Sequence, residues 1–155
     1  MKQALYTAIA CLALVTFAGC SKDDGGSSKS RTELITQSSW KYESAGIDAD
    51  RNGIVDSPLP PGMIDPCEMD NLITFNANGS GLVDEGPTKC NGGSPQTVPF
   101  SWSLKDNEQT IVFSGMSFGG LNGDVKLKNI SDRQMELHKD VNIGMVVNVI
   151  VFLKR

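Results

Sequence analysis

The sequence predicts an all-β domain over residues 31–155, built as an eight-stranded antiparallel up-and-down barrel behind a short N-terminal helix. Three observations predict it. Short apolar-alternating runs recur along the chain, and 16 glycines and 7 prolines supply turns between them. Phe100-Ser101-Trp102-Ser103-Leu104 sets three bulky residues on one face and two serines on the other, the period of a strand. The strands are joined mostly by short turns, with no long crossover where a parallel-sheet helix could sit. Closure removes both unpaired edges of such a sheet, which favours a barrel over the alternative, a sandwich. At 155 residues, 39% hydrophobic and 21% charged, the chain is one domain's worth and can fill one core. A net charge of −4 with no basic run argues against nucleic acid as a partner.

Residues 1–19 have the composition of a signal peptide. Lys2 precedes an uncharged apolar stretch, Ala8–Ala18, that is too short to cross about 30 Å of hydrocarbon. The segment ends Phe17-Ala18-Gly19-Cys20, which resembles the lipobox of bacterial lipoproteins, with Phe17 where leucine is usual. That resemblance implies cleavage before Cys20 and lipidation of its thiol, so that two or three acyl chains hold the protein on a membrane. An ordinary secretory signal with an incidental cysteine is the other reading. Residues 20–30 follow as a polar Gly/Ser tether with nothing apolar to bury. Its Lys22-Asp23-Asp24 is similar to the acidic export signal of Bacteroidetes lipoproteins, which implies an outer-membrane anchor with the domain facing the cell exterior.

Arg31–Ser39 carries Leu34 and Ile35 among polar neighbours and predicts a two-turn helix. Strands are predicted at Trp40–Ala45, Asn71–Asn76, Ser80–Asp84, Phe100–Leu104, Thr110–Ser114, Val125–Lys128, Gln134–His138 and Gly144–Leu153. Asn76-Ala77-Asn78-Gly79 and Lys105-Asp106-Asn107-Glu108 are tight-turn signals between neighbours. The last strand has almost no polar face, so both its sides should be covered, with the Leu34/Ile35 helix as the expected cover.

Of four cysteines, Cys11 leaves with the signal and Cys20 is the lipid site. Cys67 and Cys90 remain, and in an oxidising compartment an even remainder reads as one disulfide. Closing that loop stabilises by about 3 kcal/mol in the chain-entropy model. A metal or redox pair is the rival reading, but there is no CxxC spacing and the single histidine, His138, is far away in sequence.

In order, the chain shows the lipobox, the acidic tether, Thr32-Glu33-Leu34-Ile35-Thr36 before Ser39-Trp40-Lys41, and Pro66-Cys67-Glu68-Met69-Asp70. Leu72-Ile73-Thr74-Phe75 then precedes Asn76-Ala77-Asn78-Gly79, Glu85-Gly86-Pro87-Thr88-Lys89-Cys90 and Trp102-Ser103-Leu104. This succession is similar to the lipocalin-like lipoproteins of Bacteroidetes over essentially the whole mature chain. The resemblance implies an eight-stranded calyx with an N-terminal helix and no enzymatic activity, and it names no ligand.

The sharpest motif is Asp48-Ala49-Asp50-Arg51-Asn52-Gly53-Ile54-Val55-Asp56. Asp48, Asp50, Asn52 and Asp56 stand where a calcium loop places oxygen ligands, and Gly53 where it turns, so calcium is the cofactor this loop would take; the other reading is an ordinary polar hairpin-like loop, since Asp, Asn and Gly also dominate turns. Leu59 at the twelfth position and Pro58, Pro60 and Pro61 exclude an EF-hand. A second acidic group, Asp65, Glu68, Asp70, Asp84 and Glu85, gathers near the two cysteines. It reads as a solvated rim, with acid–base work on a sugar as the alternative. His138 is expected at the surface, with no nucleophile to serve.

Phe75, Phe100, Trp102, Phe113, Val125, Leu127, Met135 and Leu137 form the predicted inward set, bulky enough to fill most of the barrel. A shallow apolar mouth is expected near Gly115–Gly123, whose Met116 and Phe118, flanked by glycines, suit a mobile contact loop. The expected ligand residues are therefore Phe75, Phe100, Trp102, Phe113, Met116 and Phe118. The expected function is binding: a small apolar ligand in the mouth, or a ligand-free interaction or inhibitor module at the cell surface.

Overall fold

A capping box starts the first element. Ser30 Oγ accepts the Glu33 amide while the Glu33 carboxylate accepts the Ser30 amide, which starts helix α1 (Arg31–Thr36). The computed structural model describes residues 29–116 and 118–155. The signal sequence, Cys20 and most of the tether lie outside the described residues.

Nine strands follow: β1 (Trp40–Asp48), β2 (Ser57–Pro58), β3 (Leu72–Phe75), β4 (Ser80–Asp84), β5 (Thr97–Lys105), β6 (Thr110–Ser114), β7 (Gly123–Ile130), β8 (Gln134–Asn142) and β9 (Val146–Lys154). All pairings are antiparallel, from β3 to β9 each strand pairs with the next, and β9 returns to pair β1 from Lys41↔Lys154 to Asp48↔Asn148. The eight long strands thus close an up-and-down barrel, as the alternation and short turns predict. The ninth, β2, repairs a local defect. β1 pairs β3 only at Trp40 and Lys41, which leaves its far edge free, and Ser57–Pro58 covers that edge at Gly46 and Ile47. Gly46 makes this possible, because a Cβ there would lie 2.2 Å from Val55 Cγ1.

One end of the barrel is sealed. Trp40 and Ile35 are fully buried, the Trp40 indole donates to the Ile35 carbonyl at 2.9 Å, and the Arg155 guanidinium lies 3.8 Å above the Trp40 ring. Arg155 also donates to the Leu34 and Asp132 carbonyls, tying α1 to the β7–β8 turn and the C-terminus.

Between the ends, the β3–β6 side is packed with aromatic rings. Phe75 meets Phe100 and Trp102 edge-on, each at 5.4 Å between centroids, and Phe113 stands 6.0 Å from both phenylalanines. Gly81 clears the space, since a Cβ there would sit 2.2 Å from Phe100 Cζ. All eight residues of the predicted inward set are buried.

The cover of the last strand differs from expectation. α1 packs on β3 and β7 at the sealed end, where Ile35 plugs the core. On β9 the outward Ile150 is fully buried between its cross-strand neighbours Gly46 and His138, and Val55 lies over Gly46. The loop after β1 covers this strand, because a six-residue helix is too short to seal the barrel end and also reach its wall.

Candidate functional site: the open end of the barrel

At the other end, Cys67 and Cys90 form a disulfide that ties a short 3₁₀ turn (Pro66–Glu68) to the β4–β5 connection. At this end, on the β8–β9 side, lies a cavity of about 360 Å³. Its walls are Val141 of β8 and Val149 and Val151 of β9, with Leu59, Met63 and Ile64 of the β2–β3 connection over them and Gly119 and Gly120 at one side. Strand alternation sets this lining: Val147, Val149, Val151 and Leu153 all turn inward from β9, so the wall is aliphatic where the opposite one is aromatic. The Pro58-Leu59-Pro60-Pro61 run cannot continue a ladder, and its apolar residues fold across the opening instead.

The rim is polar. Lys139 directs its ammonium to the carbonyls of Asn122 and Asp124. Burial holds this ammonium below the usual lysine range, against the pull of the Asp124 charge. Asp140 accepts from the Asn148 amide at 3.0 Å and from Arg51 at 3.2 Å, and these two donors hold its carboxyl below the ordinary range.

The residues expected to hold a ligand are arranged otherwise. Phe75, Phe100 and Phe113 belong to the packed aromatic side and line no part of this cavity, and Trp102 borders only a shallow groove at the sealed end. Met116 and Phe118 are corrected most clearly. Rather than a contact loop facing solvent, they are 7% and 0% exposed; Phe118 packs 6.3 Å from Tyr42, and Leu121 is buried beside them. The glycines around them let the loop fold inward as a plug, held also by the Gly119 amide on Glu68 Oε1 at 3.3 Å. Leu59, Met63, Ile64, Val141, Val149 and Val151 went unrecognised as lining residues. The valines carried a signal in the alternation of β9; Leu59, Met63 and Ile64 carried none, because an irregular segment has no period.

The Asp48–Asp56 loop brings three of its four expected calcium ligands together. Carboxylate oxygens of Asp48, Asp50 and Asp56 lie within 4.8 Å of one another. Each also accepts from the loop's own donors: Asp48 from the Asn52 and Gly53 amides, Asp50 from Asn52, and Asp56 from the Ala49 amide. Asn52 departs from the expected role, since its Oδ1 accepts the Ile54 amide and its Nδ2 points at Asp50. Calcium takes six to eight oxygens; this donor set supplies three clustered carboxylates that already organise the turn.

The second acidic group is engaged only in part, since Asp70 Oδ1 and Glu85 Oε2 are buried without a hydrogen-bond partner among the described residues. Glu68 accepts from the Asp65 and Gly119 amides, Asp70 from the Thr88 amide, and Asp84 from Gln96 and the Gly86 amide. The Gln96 and Gly86 donors hold the Asp84 carboxyl below its usual range. His138 is buried, against expectation, with Nε2 2.7 Å from Glu136 Oε1. Neither a family model nor a curated protein sequence matches the chain.

Proposed function

We propose that the chain is a binding protein and not an enzyme, holding a small apolar ligand at the open end of its barrel. The cavity on the β8–β9 side carries this reading: about 360 Å³, walled by aliphatic side chains, with few polar groups and those at its rim. At the same end of the barrel, Glu68 and Asp70 accept from backbone amides and Asp84 from the Gln96 side chain, contacts that favour a structural role for these three.

The protein is anchored through lipid on Cys20 to the outer membrane, facing the exterior. The described chain starts at Lys29, whose ammonium pairs with Asp132 in the β7–β8 turn at the sealed end. Native mass spectrometry of periplasmically expressed protein tests both halves. The expected results are a co-purifying organic mass lost in Val149→Trp, and a triacyl mass on Cys20 lost in Cys20→Ser. A bare polypeptide that takes up no apolar dye would overturn the ligand reading.

A second reading has its own observation. At the β8–β9 tip Ile143, Met145 and Val146 are 43%, 67% and 58% exposed, a cluster suited to a protein partner at the cell surface. Met145→Glu with Val146→Lys would then abolish partner capture and leave dye binding intact.

A further inference from the structure

The barrel wall parts at one place. β7 and β8 pair from Lys126↔His138 to Ile130↔Met135, and beyond Lys126 and His138 the ladder stops. Gly123–Val125 continue to follow β6, while Lys139–Asn142 continue to follow β9. Into this parting runs the Lys139 side chain, donating to the Asn122 and Asp124 carbonyls, two residues apart on the edge that β8 has left. Outside the parting lies a polar groove of about 500 Å³, lined by Arg51, Lys126, Lys128 and His138 together with Asp48 and Asp124. Inside lies the aliphatic cavity. Lys139 and Asp140 line both.

The charges of the groove are unevenly committed. Asp140 is matched by Arg51, Asp124 by Lys105 at 2.6 Å, and Asp48 by loop amides. Lys139 has only neutral carbonyls as its hydrogen-bond partners among the described residues. A half-buried ammonium facing carbonyls, with an aliphatic cavity on one side and a polar groove of mixed charge on the other, suits a ligand that is itself divided.

We propose that the ligand is a single-chain amphiphile with one anionic head, carboxylate or phosphate, whose chain lies among Val141, Val149 and Val151 while its head takes the Lys139 ammonium at the parting of β7 and β8. This rests on the ligand-binding reading above and specifies its head group. Lys139 is then the residue that sets head-group preference.

The test measures displacement of an apolar dye from the purified protein by dodecanoate, dodecyl phosphate and dodecanol, which share one chain. The wild-type protein should prefer either anion over dodecanol by about tenfold, the scale of one charge-assisted hydrogen bond. Whichever anion binds tighter identifies the head. Lys139→Met should remove the preference and keep dodecanol binding, and Lys139→Arg should retain the preference, which guards against a folding defect in the methionine variant. An unchanged preference in Lys139→Met overturns the head-group assignment and leaves the cavity reading standing. Failure of all three probes on the wild-type protein overturns the cavity reading itself, and this one with it.

Discussion

The two sides of this barrel differ in how they are filled. The β3–β6 side carries Phe75, Phe100, Trp102 and Phe113, rings at 5.4 to 6.0 Å that interlock over Gly81. The β8–β9 side presents valines, which are too short to reach across, and a cavity remains. Large planar side chains fill a small barrel to crystal-like density, whereas β-branched ones on a strand stay close to their own wall. One side is therefore densely packed, and the other leaves room for the proposed ligand.

Phe75→Ala should break the comparison most severely. It removes the ring common to most of the aromatic contacts and should cost about 3–5 kcal/mol, read as a fall in the urea midpoint with unchanged slope. Reducing the Cys67–Cys90 bridge comes next. Its 23-residue separation predicts a loss of about 3 kcal/mol on chain-entropy grounds, measured as urea curves with and without reductant.

Val149→Ala should cost less, about 1–2 kcal/mol at 0.8 kcal/mol per buried methylene, because Val149 already faces empty space and has fewer contacts to lose. The opposite change sharpens the contrast. Val83→Phe in the filled half should overpack and destabilise by about 1–3 kcal/mol, while Val149→Phe should leave the midpoint nearly unchanged and weaken dye binding. Equal losses from the two phenylalanine variants would show that the cavity side is as tightly filled as the other.

The smallest effect is in acid. Asp84, Asp132 and Asp140 all have folded pKa values below their unfolded ones, through Gln96, Lys29 and Asn148 respectively as the leading donors. Their contribution is fully present above the unfolded carboxylate value near 4 and is lost as pH falls through the lowered folded values. With Asp132 and Asp140 exposed and Asp84 half-buried, they should give a shallow decline confined to strong acid, with a flat melting temperature from about pH 5 to neutrality.

How much of this was legible beforehand varies with the kind of interaction. Phe100-Ser101-Trp102-Ser103-Leu104 announced its strand and its inward face, because a period of two is a local property of the chain. The rest of the inward set followed from the same alternation, and all of it is buried. Cys67 and Cys90 were legible by counting. Met116 and Phe118 misled, since glycine neighbours show that a loop can bend and not which way. His138 misled because its burial depends on Glu136 beside it and on the covered Ile150 of the next strand.

By itself, then, the sequence determined the strand count of the closed barrel, its inward residues and the disulfide, since each depends on side-chain period, turn chemistry or cysteine number along one stretch of chain. Only the tertiary structure decided which side stays hollow, that Leu59, Met63 and Ile64 cover it, and that β7 and β8 part around Lys139. Those depend on how far side chains reach across the barrel and where a ladder stops. Both are distances between segments remote in sequence, and no local pattern encodes them.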